Sequence, residues 1–179
     1  MKLFRVTLLV LLFASIASAQ TIPPVKAKTL NDAEVTLPDP SGPPILILVV
    51  GFSHKSSELT KVWTKQISAN FHDNKCVAYY QMPNLQGVPG FVKPMILSGM
   101  HKDVPAGEQP HFVPIYDHKD EWKKLVGYSS PDDAYLLVAT SDGHPVWQAH
   151  GSYSEATYHE LKKSVSALLD KTADSTPKH

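Results

Sequence analysis

Ile45-Leu46-Ile47-Leu48-Val49-Val50 is an unbroken run of six apolar residues. A strand with one face in water alternates apolar with polar side chains, because successive residues point to opposite faces. This run does not alternate, so both of its faces need cover. Ala134-Tyr135-Leu136-Leu137-Val138-Ala139 makes the same demand. A chain with two such strands must lay other elements on both sides of one sheet, and that requires layers.

The covering elements are legible around these runs. Leu59, Val62, Trp63 and Ile67 fall at i, i+3, i+4 and i+8 and predict a helix from Ser56 to Phe71, capped by Ser56 or Ser57. Ser152-Tyr153-Ser154-Glu155 reads as a capping box, followed by a stripe of Tyr158, Leu161, Val165, Leu168 and Leu169. Between these helices the sequence predicts a strand over Cys76 to Gln81, a helix over Val88 to Met100 and a short helix over Asp117 to Val126. His111 to Tyr116 is expected as a strand at an edge or broken at Pro114, which cannot donate to a ladder. Ser141-Asp142-Gly143 turns the second apolar run into Pro145 to Ala149 as an antiparallel hairpin. At the start, Lys26 to Leu30 and Glu34 to Leu37 form a small hairpin around Asn31-Asp32.

Met1 to Arg5 is cationic, Val6 to Ile16 is almost wholly apolar, and Ala17-Ser18-Ala19 has small residues. That order is expected of a cleaved secretory signal over residues 1–19, since the apolar run is shorter than the roughly 20 residues that span a bilayer. Cleavage leaves 160 of the 179 residues, enough for one domain over 20–170 with a polar tail at 171–179. It also removes Lys2 and Arg5, leaving 15 basic against 17 acidic residues. No basic run then favours nucleic acid or anionic lipid, no transmembrane segment is expected in the mature chain, and a protein partner is expected without its identity being readable. The one cysteine, Cys76, cannot form an internal disulfide and reads as a small buried hydrophobe at the start of a strand.

The element order and several phrases carry a resemblance. "AKTLNDAEVTLPDPSGPPILILVVGFS" resembles the opening of elaborated thioredoxin-like proteins. "KPMILSGMHKDVP", "AYLLVATSDGHPVWQAHG" and "YSEATYHELKKSVSALL" are similar to the non-redox thioredoxin-like family of the mitochondrial ATP synthase assembly factor and its bacterial relatives. Gly99, Met100, Pro105, Gly143 and Trp147 fit that family's pattern, while His101 and Ala139 depart from it. The resemblance implies a thioredoxin-like three-layer sandwich with a central mixed sheet and an N-terminal β-hairpin extension. It also implies a role as an interaction or assembly factor.

In redox-active relatives the first turn after the buried strand carries a nucleophilic thiol, whose thiolate the helix N-terminus stabilises. Here Ser53, His54, Lys55, Ser56 and Ser57 occupy that degenerate position. Cys76 would lie at the opposite end of the helix, roughly 20 Å away at about 1.5 Å per residue. No catalytic residue and no cofactor are therefore expected. A thiol oxidoreductase or peroxidase relative and a periplasmic metal-binding module remain as alternatives. His101, His111, His118, His144 and His150 are spread over separate segments without ligand spacing, so no metal is expected. Pro131 is the candidate for a cis bond ahead of the last buried strand.

Overall fold

The structure is a computed structural model, which describes residues 20–174. The expected signal segment at 1–19 and the last five residues of the expected tail lie outside the described residues. Strands β1 (Val25–Lys28) and β2 (Glu34–Leu37) pair antiparallel as a separate hairpin. Asp32 supplies its turn, in the left-handed region at φ 64°. Strand β3 (Ile45–Gly51) leads to helix α1 (Ser56–Phe71), strand β4 (Val77–Pro83) and helix α2 (Lys93–Asp103). Helix α3 (Lys119–Leu125), strands β5 (Ala134–Thr140) and β6 (Pro145–His150), and helix α4 (Glu155–Asp174) complete the chain.

The main sheet runs β4-β3-β5-β6. Strand β3 is parallel to β4 and antiparallel to β5, which pairs antiparallel with β6, so the sheet is mixed. Every residue of β3 is buried, for the reason its sequence gives. Ile45, Ile47 and Val49 face a layer built on Trp63, Ile67, Phe71, Tyr158, Leu161 and Val165 of α1 and α4. Leu46, Leu48 and Val50 face Trp122 and Leu125 of α3 together with Val25 and Leu37 of the hairpin. Helices on one side and a helix plus hairpin on the other make the three-layer α/β sandwich. Gly143, at φ 90°, closes the β5–β6 turn, and its carbonyl accepts from Ile22 N at 2.9 Å. A Cβ there would lie 3.0 Å from both Ile22 Cγ1 and Pro38 Cβ, so this turn is packed against the N-terminal arm and needs glycine.

Several expectations are corrected. The helix expected over Val88 to Met100 is displaced to Lys93–Asp103. Pro89 and Pro94 push its start forward, and Pro94 sits in the first turn, where a missing N–H costs nothing. The segment His111 to Tyr116 is broken around Pro114 and lies at the edge strand β4, in keeping with its sequence. Gln109–His111 is a short 3-10 turn, and Phe112 and Ile115 make only isolated parallel bridges to Gln81 and Asn84. Val62 is 45% exposed, so the apolar face of α1 is Trp63, Ile67 and Phe71 with Leu59 half-buried at its margin. Helix α4 is capped by Ser154, whose Oγ accepts from Thr157 N at 3.1 Å, and not by Ser152. It runs on to Asp174, through the first residues of the expected tail. Cys76 is exposed, not buried, because it precedes the first residue of β4 to enter the core. Pro131 is not preceded by a cis bond. Among the described residues the cis bond is Leu37–Pro38.

Candidate functional site

The site position is the join between β3 and α1. Gly51 ends the strand, and a Cβ on it would lie 2.7 Å from Ser56 Oγ, closer than real side chains approach. Phe52 turns back into the core, edge-on to Tyr128 and Tyr135 at ring separations of 5.3 and 5.5 Å. Ser53 and Ser56 then bond to each other. Ser56 N donates to Ser53 Oγ at 3.0 Å, and Ser56 Oγ donates to the Ser53 carbonyl at 2.8 Å. Ser53 N also donates to Ser56 Oγ at 3.3 Å. Ser53, and not Ser56 or Ser57, is therefore the side chain that caps α1, by satisfying one of its free N–H groups.

Ser53 Oγ spends its own proton on Asp132 Oδ1 at 2.9 Å. Asp132 lies on the loop before β5 and also faces Lys55 Nζ at 3.7 Å. That loop is held by Tyr135, whose hydroxyl accepts from Ser129 N and Ser130 N and donates to Ser130 O. Both hydroxyls of the turn are thus committed, and each proton has a fixed acceptor. Neither serine is hydrogen-bonded to a histidine base, so neither is activated as a nucleophile. His54 and Lys55 face solvent, and Ser57 is half-buried, its carbonyl accepting from Thr60 Oγ1. Asp132 was not anticipated from the sequence, since only the fold brings it to the turn across 79 residues of chain.

Beside the turn a groove of about 410 Å³ opens between α1, the end of β4 and α2. Phe52, Leu85, Ile96, Met100 and Phe112 line it, with Gln81 and Asn84 on its floor. Gln81 Nε2 donates to Thr60 Oγ1 at 2.9 Å. Met95, which lines the groove, is 71% exposed, and Phe91, just ahead of α2, is 86% exposed. Helix α2 buries none of its residues fully.

The family-pattern positions do not form one site. Gly99 and Met100 line the groove, Pro105 is exposed beyond the end of α2, Gly143 is in the β5–β6 turn, and Trp147 packs half-buried against the α1–α4 layer. The histidines named from the sequence stay apart. His118 Nδ1 is 2.8 Å from Glu121, which holds its pKa above the ordinary value, and His150 Nδ1 is 2.8 Å from Asp133. His144 lies 3.8 Å from Asp142, and His101 is exposed on α2. His111 does have a histidine neighbour, His72, at a ring separation of 5.6 Å. Among the described residues no group of three or more His, Cys, Asp and Glu side chains is arranged to hold a metal ion, and no helix is long and apolar enough to cross a membrane.

No protein-family model matches the sequence, and no curated protein matches it either. Solved structures do match the fold. BsSco, a member of the Sco family of cytochrome c oxidase assembly proteins, superimposes with a TM-score of 0.56 at 13% identity, over 85% of this chain and 95% of that one. A thiol-disulfide oxidoreductase from Bacteroides fragilis gives 0.53 at 13% identity, over 80% and 98%. An exposed lipoprotein thioredoxin from Streptococcus pneumoniae gives 0.53 at 14% identity, over 79% and 99%. With the mixed sheet, the helices on both faces and the N-terminal hairpin, these likenesses show that the chain has the thioredoxin-like fold.

Proposed function

We propose that this chain is an exported, non-catalytic thioredoxin-like protein that acts as an interaction or assembly factor. The observation that carries the reading is the closed Ser53–Ser56–Asp132 network at the turn where a thiol would have to stand. Disulfide exchange proceeds by thiolate attack on sulfur and peroxide reduction by thiolate attack on oxygen; a hydroxyl serves for neither. The chain's one sulfur nucleophile, Cys76, precedes β4 at the far end of α1. The groove and the exposed Phe91 and Met95 supply apolar surface of the kind used to contact other proteins. BsSco, similar in fold, belongs to a family of assembly proteins. Export rests on the order of charge, apolar run and small residues in 1–19. The family of the ATP synthase assembly factor is the relative favoured by the motif positions.

One observation favours a second reading, a thiol oxidoreductase relative. Cys76 is exposed and able to meet a partner's sulfur, and other proteins of this fold are named thiol-disulfide oxidoreductases. A dithiol-driven insulin-reduction assay and a peroxide-consumption assay on purified protein separate the two. The expected result is no rate above the buffer control in either. A rate abolished by Cys76→Ser would establish the second reading in place of the first.

A further inference from the structure

The groove between α1, the end of β4 and α2 has apolar walls and a polar floor. Thr60, Gln81 and Asn84 line it and are all buried, the two amides to 7% exposure each. The direction of each amide is fixed by its neighbours. Thr60 Oγ1 has one proton, which it donates to the Ser57 carbonyl at 3.0 Å. It can therefore only accept from Gln81, which must turn Nε2 toward it, at 2.9 Å, and Oε1 away. Asn84 Oδ1 accepts from Gln86 N at 3.1 Å, so Nδ2 is the half left over. Among the described residues neither Gln81 Oε1 nor Asn84 Nδ2 has a hydrogen-bond partner, and Nδ2 is closed to water as well. Buried polar side chains without partners are few in folded proteins. Here two of opposite kind, an acceptor and a donor, share one groove floor.

We propose that the groove binds an extended peptide segment of a partner protein, one residue of which gives its N–H to Gln81 Oε1 and its carbonyl to Asn84 Nδ2, while an apolar side chain enters between Leu85, Ile96, Met100 and Phe112. In an extended chain the N–H and C=O of one residue point to the same side, which is how one strand engages another. Other chemistries leave part of the floor unmet. A hydrocarbon leaves both amides unpaired. A carboxylate, which only accepts, is opposed by Gln81 Oε1, and an ammonium, which only donates, is opposed by Asn84 Nδ2. The lining carries both signs of charge, Lys61 and Asp103, and so does not select a charged ligand. Asn84 Nδ2 is reached only when the α2 wall gives. That helix has no fully buried residue, so it can yield without uncovering a core side chain of its own. That the occupant is a partner's segment rests on the interaction reading, whereas the complementarity of the floor to a peptide does not.

The test is an NMR titration of the whole mature chain with acetyl-leucine N-methylamide, which offers one leucine N–H and one leucine carbonyl. Saturable shifts are expected at the Gln81 and Asn84 side-chain amides and at the backbone amides of Met100 and Phe112, with a Kd of about 1 mM for a ligand of this size. The analogue with an ester oxygen in place of the leucine N–H should bind at least about fivefold more weakly, because Gln81 Oε1 then meets another acceptor. Asn84→Asp keeps the acceptor for Gln86 N but removes the donor, and should weaken the amide probe to a similar extent. No saturable shift at these signals up to about 10 mM, tenfold above that Kd, or equal affinity for amide and ester, would overturn the proposal. The ester comparison is made on the wild type and decides even if Asn84→Asp fails to fold. Insulin reduction by the wild type would instead overturn the interaction reading and leave a positive amide result standing, so the two failures are told apart.

Discussion

Ser56 is buried to 1% exposure and sits within the van der Waals reach of Gly51. Its hydroxyl serves the backbone of Ser53 twice, as donor to the carbonyl and acceptor from the N–H. Ser56→Ala should cost on the order of 1–3 kcal/mol, the penalty for leaving buried partners unmade. Gly51→Ala should also destabilise, because its new methyl meets Ser56 Oγ at 2.7 Å. The double variant removes that contact, although Thr60 Cγ2 remains at 3.3 Å. Urea unfolding of the four proteins should therefore show a double variant more stable than the sum of the single losses requires. Strict additivity would show that the hydroxyl is not what forbids a side chain at Gly51. Cys76 gives a second check at this scale. Native protein should react with a thiol reagent without denaturant, and Cys76→Ser should change stability by no more than about 0.5 kcal/mol, the usual range for an exposed site. Slow labelling that speeds up only in urea would place Cys76 in the core instead.

At the scale of elements, the sequence was most readable where burial is complete. Strands β3 and β5 are apolar throughout because layers cover both faces, and α1 was legible from Trp63 and Ile67 at the correct spacing. The bounds of α1 agree with the sequence reading. Val62 was assigned to the wrong face because an apolar residue at i+3 looks the same whether it meets a sheet or water. Helix α2 was placed too early because its apolar residues begin ahead of Pro94, which the helix takes in its first turn, whereas the break of the Phe112–Ile115 segment was legible from Pro114. The serines of the turn were legible as a place without a thiol. Their bonding was not, since Asp132 reaches Ser53 only through the tertiary fold. Helix α1 is fastened by Trp63, which is fully buried, donates from Nε1 to the Gly151 carbonyl at 3.0 Å and lies edge-on to Tyr153. Trp63→Ala should cost about 3–5 kcal/mol, as other large-to-small core changes do. A loss under about 1 kcal/mol in urea unfolding would mean that α1 is not held by this layer.

For the whole molecule, the core layer under α1 and α4 responds to alkali through two buried phenols. Burial pushes the Tyr79 and Tyr158 hydroxyls up to about 12 from the ordinary 10. An acid whose folded pKa is raised contributes stability below its unfolded value and loses it as pH rises from about 10 to about 12. Circular dichroism should show the fold weakening over that interval, and Tyr158→Phe should reduce the steepness. A flat response in the wild type would contradict the burial of both groups. The central claim is that this thioredoxin-like molecule keeps the strand–turn–helix frame while lacking the chemistry. Ser53 and Ser56 stand in mutual side-chain contact with two residues between them, so they set the register in which a Cys-x-x-Cys pair would stand. The most direct measurement is insulin reduction by the wild type and by Ser53→Cys/Ser56→Cys, side by side under the same dithiol. The account predicts no turnover by the wild type and measurable turnover by the variant, whose first thiol the helix end would activate. Turnover by the wild type itself would contradict it.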